Sequence, residues 1–154
     1  MEQQQTPWFL RGNWAPTQQQ HTSSELTVEG NIPPQLNGLY VRTGPNPASG
    51  TGDHWFLGDG MVHGIRLQNG KAEWYRNRFV QTPDITEPLT DPMGGIGDLR
   101  RGKGNTHVMA HNKKILCLEE AHWPWAIDGE LNTIGCENFD DALPCSMTCL
   151  LYTS

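Results

Sequence analysis

The residues that could do chemistry are six histidines, four cysteines and one basic, glycine-rich loop. His107 and His111 stand four positions apart. On a helix that spacing would bring two imidazoles onto one face, as in zinc sites. Val108 and the Asn112-Lys113-Lys114 turn favour a strand and its turn instead, which separates the two side chains. His54, His63 and His122 are single histidines among aromatic residues, and they read as hydrogen-bonded structural groups. His21 lies in a polar stretch and carries no signal. Cys117, Cys136, Cys145 and Cys149 show no CxxC spacing, so they read as reduced thiols and not as a disulfide frame or a zinc site. Arg100-Arg101-Gly102-Lys103 invites a phosphate-binding reading, but the phosphate-loop spacing is absent and no helical pattern follows. A solvated loop is expected there. No Ser-His-Asp or Cys-His pairing can be supported from spacing, because such groups meet in space. From residue types alone, no catalytic, cofactor-binding or metal-ligating residue is assigned.

The elements that must position these residues are short strands. Leu39 to Thr43 is a run of β-formers stopped by Gly44-Pro45-Asn46-Pro47. A Gly58-Asp59-Gly60 turn leads into a strand from Met61 to Leu67, with Met61, His63, Ile65 and Leu67 on one face at period two. Asn69-Gly70 is the strongest short-range hairpin signal, and the return strand runs from Lys71 to Thr82. Leu26 to Gly30 is expected to form a further short strand. A loop rich in proline and glycine follows Thr82. A second meander starts at Thr106, turns at His111 to Lys114, returns through Ile115 to Leu118 and continues with Leu131 to Cys136. No longer stretch keeps a 3.6-residue period. Turn signals recur at roughly 8–12-residue spacing, which predicts an all-β sandwich, barrel or propeller.

The whole composition sets the outer limits. The chain has 154 residues and a formal net charge of -6, which argues against a nucleic-acid partner. Hydrophobic residues make up only 36%, and 17 glycines and 11 prolines make the chain rich in loops. No apolar run is long enough to span a bilayer, and MEQQQTPW lacks a signal-peptide core. With the reduced thiols, this predicts a cytoplasmic protein. Residues 1–24 are polar, with two glutamine runs, and read as an extended arm lying over the domain.

Several motifs resemble one family when taken in order. They are Leu26-Thr27-Val28-Glu29-Gly30-Asn31-Ile32-Pro33, then Leu36 to Pro47, then Phe56 and Gly58-Asp59-Gly60-Met61-Val62-His63-Gly64. Tyr75 to Thr82, Asn105-Thr106, Leu116 to Glu120 and Pro124 continue the series. This order is similar to the opening of the carotenoid cleavage oxygenases, over about residues 8–148. The resemblance implies a seven-bladed β-propeller. It also implies a non-haem Fe(II) on the propeller axis, held by four histidines, that splits a carbon–carbon double bond with O2 into two carbonyl products. The implied partners are O2 and an apolar polyene or a stilbene-like small molecule; peripheral membrane contact stays open. A blade takes about 40–45 residues, so this chain holds about two to three blades.

The resemblance carries over scaffold motifs only. His63 matches a family histidine that is not an iron ligand. The first ligand histidine of the family lies in a threonine-alanine-histidine-proline motif, expected to begin at Thr148. Here Cys149 and Leu150 follow Thr148. None of the four iron ligands is therefore expected within the chain, and by itself it is expected to be inactive. Residues 25–148 are read as the N-terminal part of the propeller and 149–154 as a tail foreign to it. The other reading of that tail is a natural terminal strand, since Leu150-Leu151-Tyr152 has good β-propensity. Stilbene-cleaving members carry a lysine where Glu119 stands, which tilts the implied substrate toward an apocarotenoid or another polyene. Two other readings compete: a small β-rich binding or structural module without metal chemistry, and an independent metal site at His107 and His111.

Overall fold

A computed structural model describes residues 6–87, 89, 95 and 97–150. The expectations for the glutamine run at 3–5, for Pro88, Pro92 and Gly94, and for 151–154 lie outside the described residues. Two four-stranded antiparallel sheets make up the fold. The first contains β1 (His21–Ser23), β2 (Gly38–Pro45), β3 (Gly60–Gln68) and β4 (Lys71–Phe79), in the order β1-β4-β3-β2. The second contains β5 (His107–His111), β6 (Lys114–Leu118), β7 (Trp125–Ile127) and β8 (Thr133–Cys136), in sequence order.

Turn chemistry sets both meanders. Asn69 and Gly70 adopt φ of 49° and 79°, the doubly positive backbone of a type I′ turn. Asn112 and Lys113 do the same between β5 and β6, at 44° and 63°. A register shift between Arg66 and Leu67 adds a bulge to the β3–β4 pair. The strands sit close to where the sequence places them, but β2 runs on through Gly44 and Pro45, which pair with Met61 and Gly60, because on an edge strand the proline at the end needs no ladder donor. β4 stops at Phe79 and not at Thr82, and β7 has no counterpart among the expected strands. Two larger differences remain. Leu26–Gly30 pairs with nothing, and the edge partner of β4 is instead the polar His21–Ser23. That pairing is made by side chains as much as by backbone. Asn77 Oδ1 accepts from the His21 amide at 2.5 Å, Asn77 Nδ2 donates to Gln19 O at 3.1 Å, and Gln20 Oε1 accepts from the Phe79 amide at 3.0 Å. The second difference is one turn of α-helix, α1 (Pro83–Thr86), opened by a proline in its first turn.

The core lies between the sheets. Val62, Val80, Cys117, Trp125, Ile127 and Leu131 form one buried cluster, to which Leu39, Val41 and Trp74 add from the first sheet and Val108 and Ile115 from the second. The outer face of the second sheet is covered as well. Leu116, Leu118 and Ala126 pack with Phe139, Met147 and Cys149. β6 is therefore buried on both faces, which is why Ile115 to Leu118 reads as an unbroken apolar run. Cys149, placed by sequence in the tail, is buried in this second cluster.

The sheets are joined at a narrow seam. Residues Lys103–Asn105 pass between the Gly58–Gly60 turn and β6. Asn105 Nδ2 donates to the carbonyls of Phe56 and Gly58 at 2.8 and 2.7 Å, and Thr43 Oγ1 donates to Gly104 O at 2.9 Å. A Cβ on Gly60 would lie against Lys103 O and 2.9 Å from Gly104 O, whereas one on Gly44 would meet open space. Gly60→Ala is expected to cost about 1–3 kcal/mol through forced backbone displacement, and Gly44→Ala much less. Urea denaturation of the two variants measures the contrast, and equal losses would remove the seam from the account.

Candidate functional site

Charge concentrates beside the seam. Lys103 Nζ bridges Asp59 Oδ1 at 3.2 Å and Asp84 Oδ2 at 2.8 Å. Arg101 donates to the other Asp84 oxygen at 3.0 Å and approaches Asp98 at 3.8 Å. Asp98 also caps the helical turn Leu99–Arg101 by accepting from the Arg100 amide. The basic loop, expected to be solvated, is so only at Arg100, whose side chain is 61% exposed. The Arg101 side chain is only 12% exposed and belongs to an ion-pair network that ties α1 to the Gly58–Gly60 turn. Burial raises the Asp84 pKa, but the hydrogen bonds and charges of Lys103 and Arg101 outweigh it and hold the carboxyl below its usual range. Burial lowers the Lys103 pKa, and the two carboxylates more than restore it.

The end of β6 carries a second polar cluster. Glu119 Oε2 receives His122 Nδ1 at 2.6 Å, and Oε1 accepts from the Ala121 amide at 2.8 Å. Glu119 thus holds the turn after β6 in shape, and its side chain is largely covered. Cys149 Sγ lies 3.4 Å from Glu120 Oε2. Burial, and after it the neighbouring Glu120 carboxylate, push that thiol above its ordinary pKa. Burial pushes the Cys117 thiol up to about 12 and the Cys136 thiol up to about 11, so neither supplies a thiolate at neutral pH. All four cysteines are free.

The histidines do not converge. His107 and His111 occupy the two ends of β5, four residues or roughly 13 Å of strand apart. His111 packs edge-on against Phe139. His122 is bound to Glu119, and His54 Nδ1 accepts from the Phe56 amide at 3.2 Å. His63 Nδ1 meets the Tyr75 hydroxyl at 2.9 Å. Burial, and then the charge of Arg42, hold its pKa below the ordinary value. Among the described residues no group of three or more His, Cys, Asp or Glu is placed to hold a metal ion.

One cleft of about 290 Å³ lies on the opposite side of the first sheet from the core, between the N-terminal arm and the loop after β2. Arg42, His54, His63, Asn13, Trp14 and Trp55 contribute to its walls. Asn46 fixes the arm here, accepting from the Thr17 amide at 2.9 Å and donating to Thr17 O at 2.7 Å. No spacing pattern could have found this cleft, because its walls come from segments that meet only in the fold.

The network gives a pH-dependent prediction. A carboxyl whose pKa is depressed in the fold stabilises it above the unfolded value, near 4, and that contribution disappears as pH falls through the folded value. Lys103→Met leaves Asp59 and Asp84 without their shared cation. It is expected to cost about 1–3 kcal/mol at pH 7 and less at pH 3, as pH moves down toward the depressed folded value of Asp84. Urea titrations of both proteins at the two pH values check this, and an equal loss at both would assign the effect to packing.

Residues 14–151 match the family described as retinal pigment epithelial membrane protein. The chain is 41% identical over 143 residues to a carotenoid cleavage oxygenase of Mycobacterium tuberculosis, covering 88% of this chain and 28% of that protein. It is 37% identical over 174 residues to a carotenoid 9,10(9',10')-cleavage dioxygenase of Phaseolus vulgaris, covering 91% and 32%. The crystal structure of a Pseudomonas brassicacearum lignostilbene dioxygenase matches with a TM-score of 0.73 at 31% identity, over 90% of this chain and 32% of that one. The chain spans about a third of the length of the curated relatives it matches. The expected architecture is the one found: an all-β part of a seven-bladed propeller, its two sheets forming two blades. The ordered motifs from Leu26 to Pro124, the two antiparallel meanders and the match over residues 14–151 establish that the chain belongs to the retinal pigment epithelial membrane protein family.

Proposed function

We propose that the whole protein is a non-haem Fe(II) dioxygenase that splits a carbon–carbon double bond of a carotenoid, apocarotenoid or related stilbene-like substrate with O2. The observation that carries this reading is the match of residues 14–151 to the family, shared with relatives named for cleavage of carotenoids. A cytoplasmic setting is in keeping with the four free thiols. Among the described residues no helix is long and apolar enough to cross a membrane, and peripheral contact with a lipid surface belongs to the same proposal.

The described histidines do not fit a four-imidazole iron site. His63 is held by Tyr75, His122 by Glu119, and His107 and His111 sit at opposite ends of one strand. No step through the iron is derived from them. In this reading the chain supplies scaffold: two blades, the seam that sets their spacing, and the covered turn after β6. Glu119 is committed to His122 and to the Ala121 amide, so it offers neither a cation nor a free donor to a substrate phenol. That favours an apocarotenoid over a hydroxystilbene.

The test is aerobic turnover of an apocarotenal and of a hydroxystilbene, with product analysis. The full-length protein loaded with Fe(II) is expected to give two carbonyl products from the apocarotenal. The 154-residue chain is expected to give none and to retain no stoichiometric iron. Stoichiometric iron with turnover by the chain alone would overturn the scaffold reading. A full-length protein that cleaves neither substrate would overturn the dioxygenase reading.

A further inference from the structure

The β3–β4 hairpin, at the end of the first sheet away from the seam, carries chemistry that the dioxygenase reading does not use. The chain contains two asparagine-glycine steps, Asn37-Gly38 and Asn69-Gly70, and the fold brings them together. Asn37 Oδ1 accepts from the Asn69 amide at 2.8 Å. Asn37 Nδ2 donates to Pro34 O at 3.0 Å and reaches Gln35 O at 3.5 Å. Both ends of that side-chain amide are therefore held. Gly38 is held as well, because it opens β2 and pairs with Leu67.

Asn69 and Gly70 differ on both counts. The Asn69 side chain makes no hydrogen bond with another described residue. Gly70 lies between β3 and β4, and its amide donates to no backbone carbonyl among the described residues. Both asparagines are exposed, so access of water does not separate them. What separates them is whether the side-chain amide and the following backbone nitrogen are free to meet. A glycine in the second position leaves that approach open, because it carries no Cβ.

We propose that Asn69 is a self-modification site, at which the Gly70 amide nitrogen attacks the side-chain carbonyl, while the hydrogen bonds on Asn37 protect the other asparagine-glycine step. A bond forms between Gly70 N and Asn69 Cγ, and the bond from Cγ to Nδ2 breaks. Ammonia leaves, carrying the proton that the Gly70 amide gives up, and a cyclic imide remains. Water opens the imide at either carbonyl, giving aspartate or isoaspartate. No oxidant, reductant or metal takes part. Isoaspartate carries the main chain through Cγ and lengthens the turn, and the length of a hairpin turn fixes the register of its strands. All the reacting groups lie within the hairpin, so the proposal does not rest on the dioxygenase reading, and either can fail without the other.

The test is incubation of the full chain at mildly alkaline pH, folded and in concentrated urea, with peptide mass mapping of both steps over time. Replacement of the side-chain NH2 by OH reports conversion, and labelling by a methyltransferase specific for isoaspartate reports the rearranged product. In the folded chain Asn69 is expected to convert at least about tenfold faster than Asn37. In urea the hydrogen bonds on Asn37 are gone, and the two rates are expected to converge. Gly70→Ala, compared in urea so that folding does not enter, is expected to slow the reaction at Asn69 by about tenfold or more and to leave Asn37 unchanged. No conversion at Asn69 in the folded chain, equal rates at the two steps there, a ratio that persists unchanged in urea, or a Gly70→Ala variant that converts at the original rate would each overturn the proposal.

Discussion

The structure depends on how closely two backbones approach at the seam. Gly60 and Gly104 have no Cβ where the connector from the first sheet meets the second, and any side chain on Gly104 would press on Cys117 in the core. Around that contact the polar groups are paired. Asn105 satisfies two carbonyls of the Phe56–Gly58 segment, Thr43 satisfies Gly104, and Lys103 turns outward to Asp59 and Asp84. A buried backbone carbonyl without a partner is costly, so each of these side chains is required for the approach to be favourable. The spacing of the blades follows from this arrangement, and with it the depth of the core that Val62, Cys117 and Ile127 fill.

Much of this was legible in the sequence because it is local. Asn69-Gly70 specifies its hairpin within two residues, and the alternation of Met61 to Leu67 places that strand on the pleat. The apolar run Ile115 to Leu118 announces a strand covered on both sides. Tertiary partners decided the rest. Leu26-Thr27-Val28 has the composition of a strand but finds no neighbour, whereas His-Thr-Ser at 21–23 becomes one because Asn77 and Arg78 reach across to its backbone. Arg101 and Lys103 look like solvated loop cations until their carboxylates arrive from Asp59 and Asp84, far away along the chain.

The candidate sites divide along the same line. Histidines could be counted and spaced in advance, and the fold disperses them into separate roles against Tyr75, Glu119, Phe139 and the Phe56 amide. The aromatic cleft has no spacing signal of its own, although Arg42 to Pro47 and His63 on its walls lie in the ordered motifs. It exists because a polar arm with two tryptophans is held over the Gly44–Pro47 loop by one asparagine. Low sequence complexity in such an arm is thus compatible with a specific structural position.

The pairing of His21 with Asn77 joins residues 56 positions apart, while β3 and β4 are linked by the two-residue Asn69-Gly70 turn and β2 and β3 by residues 46–59. Closing a long loop costs more chain entropy than closing a hairpin. Pairing the arm is therefore the costlier closure, and it is offset by the side chains that receive the arm, Asn46 through Thr17 and Asn77 through His21 and Gln19.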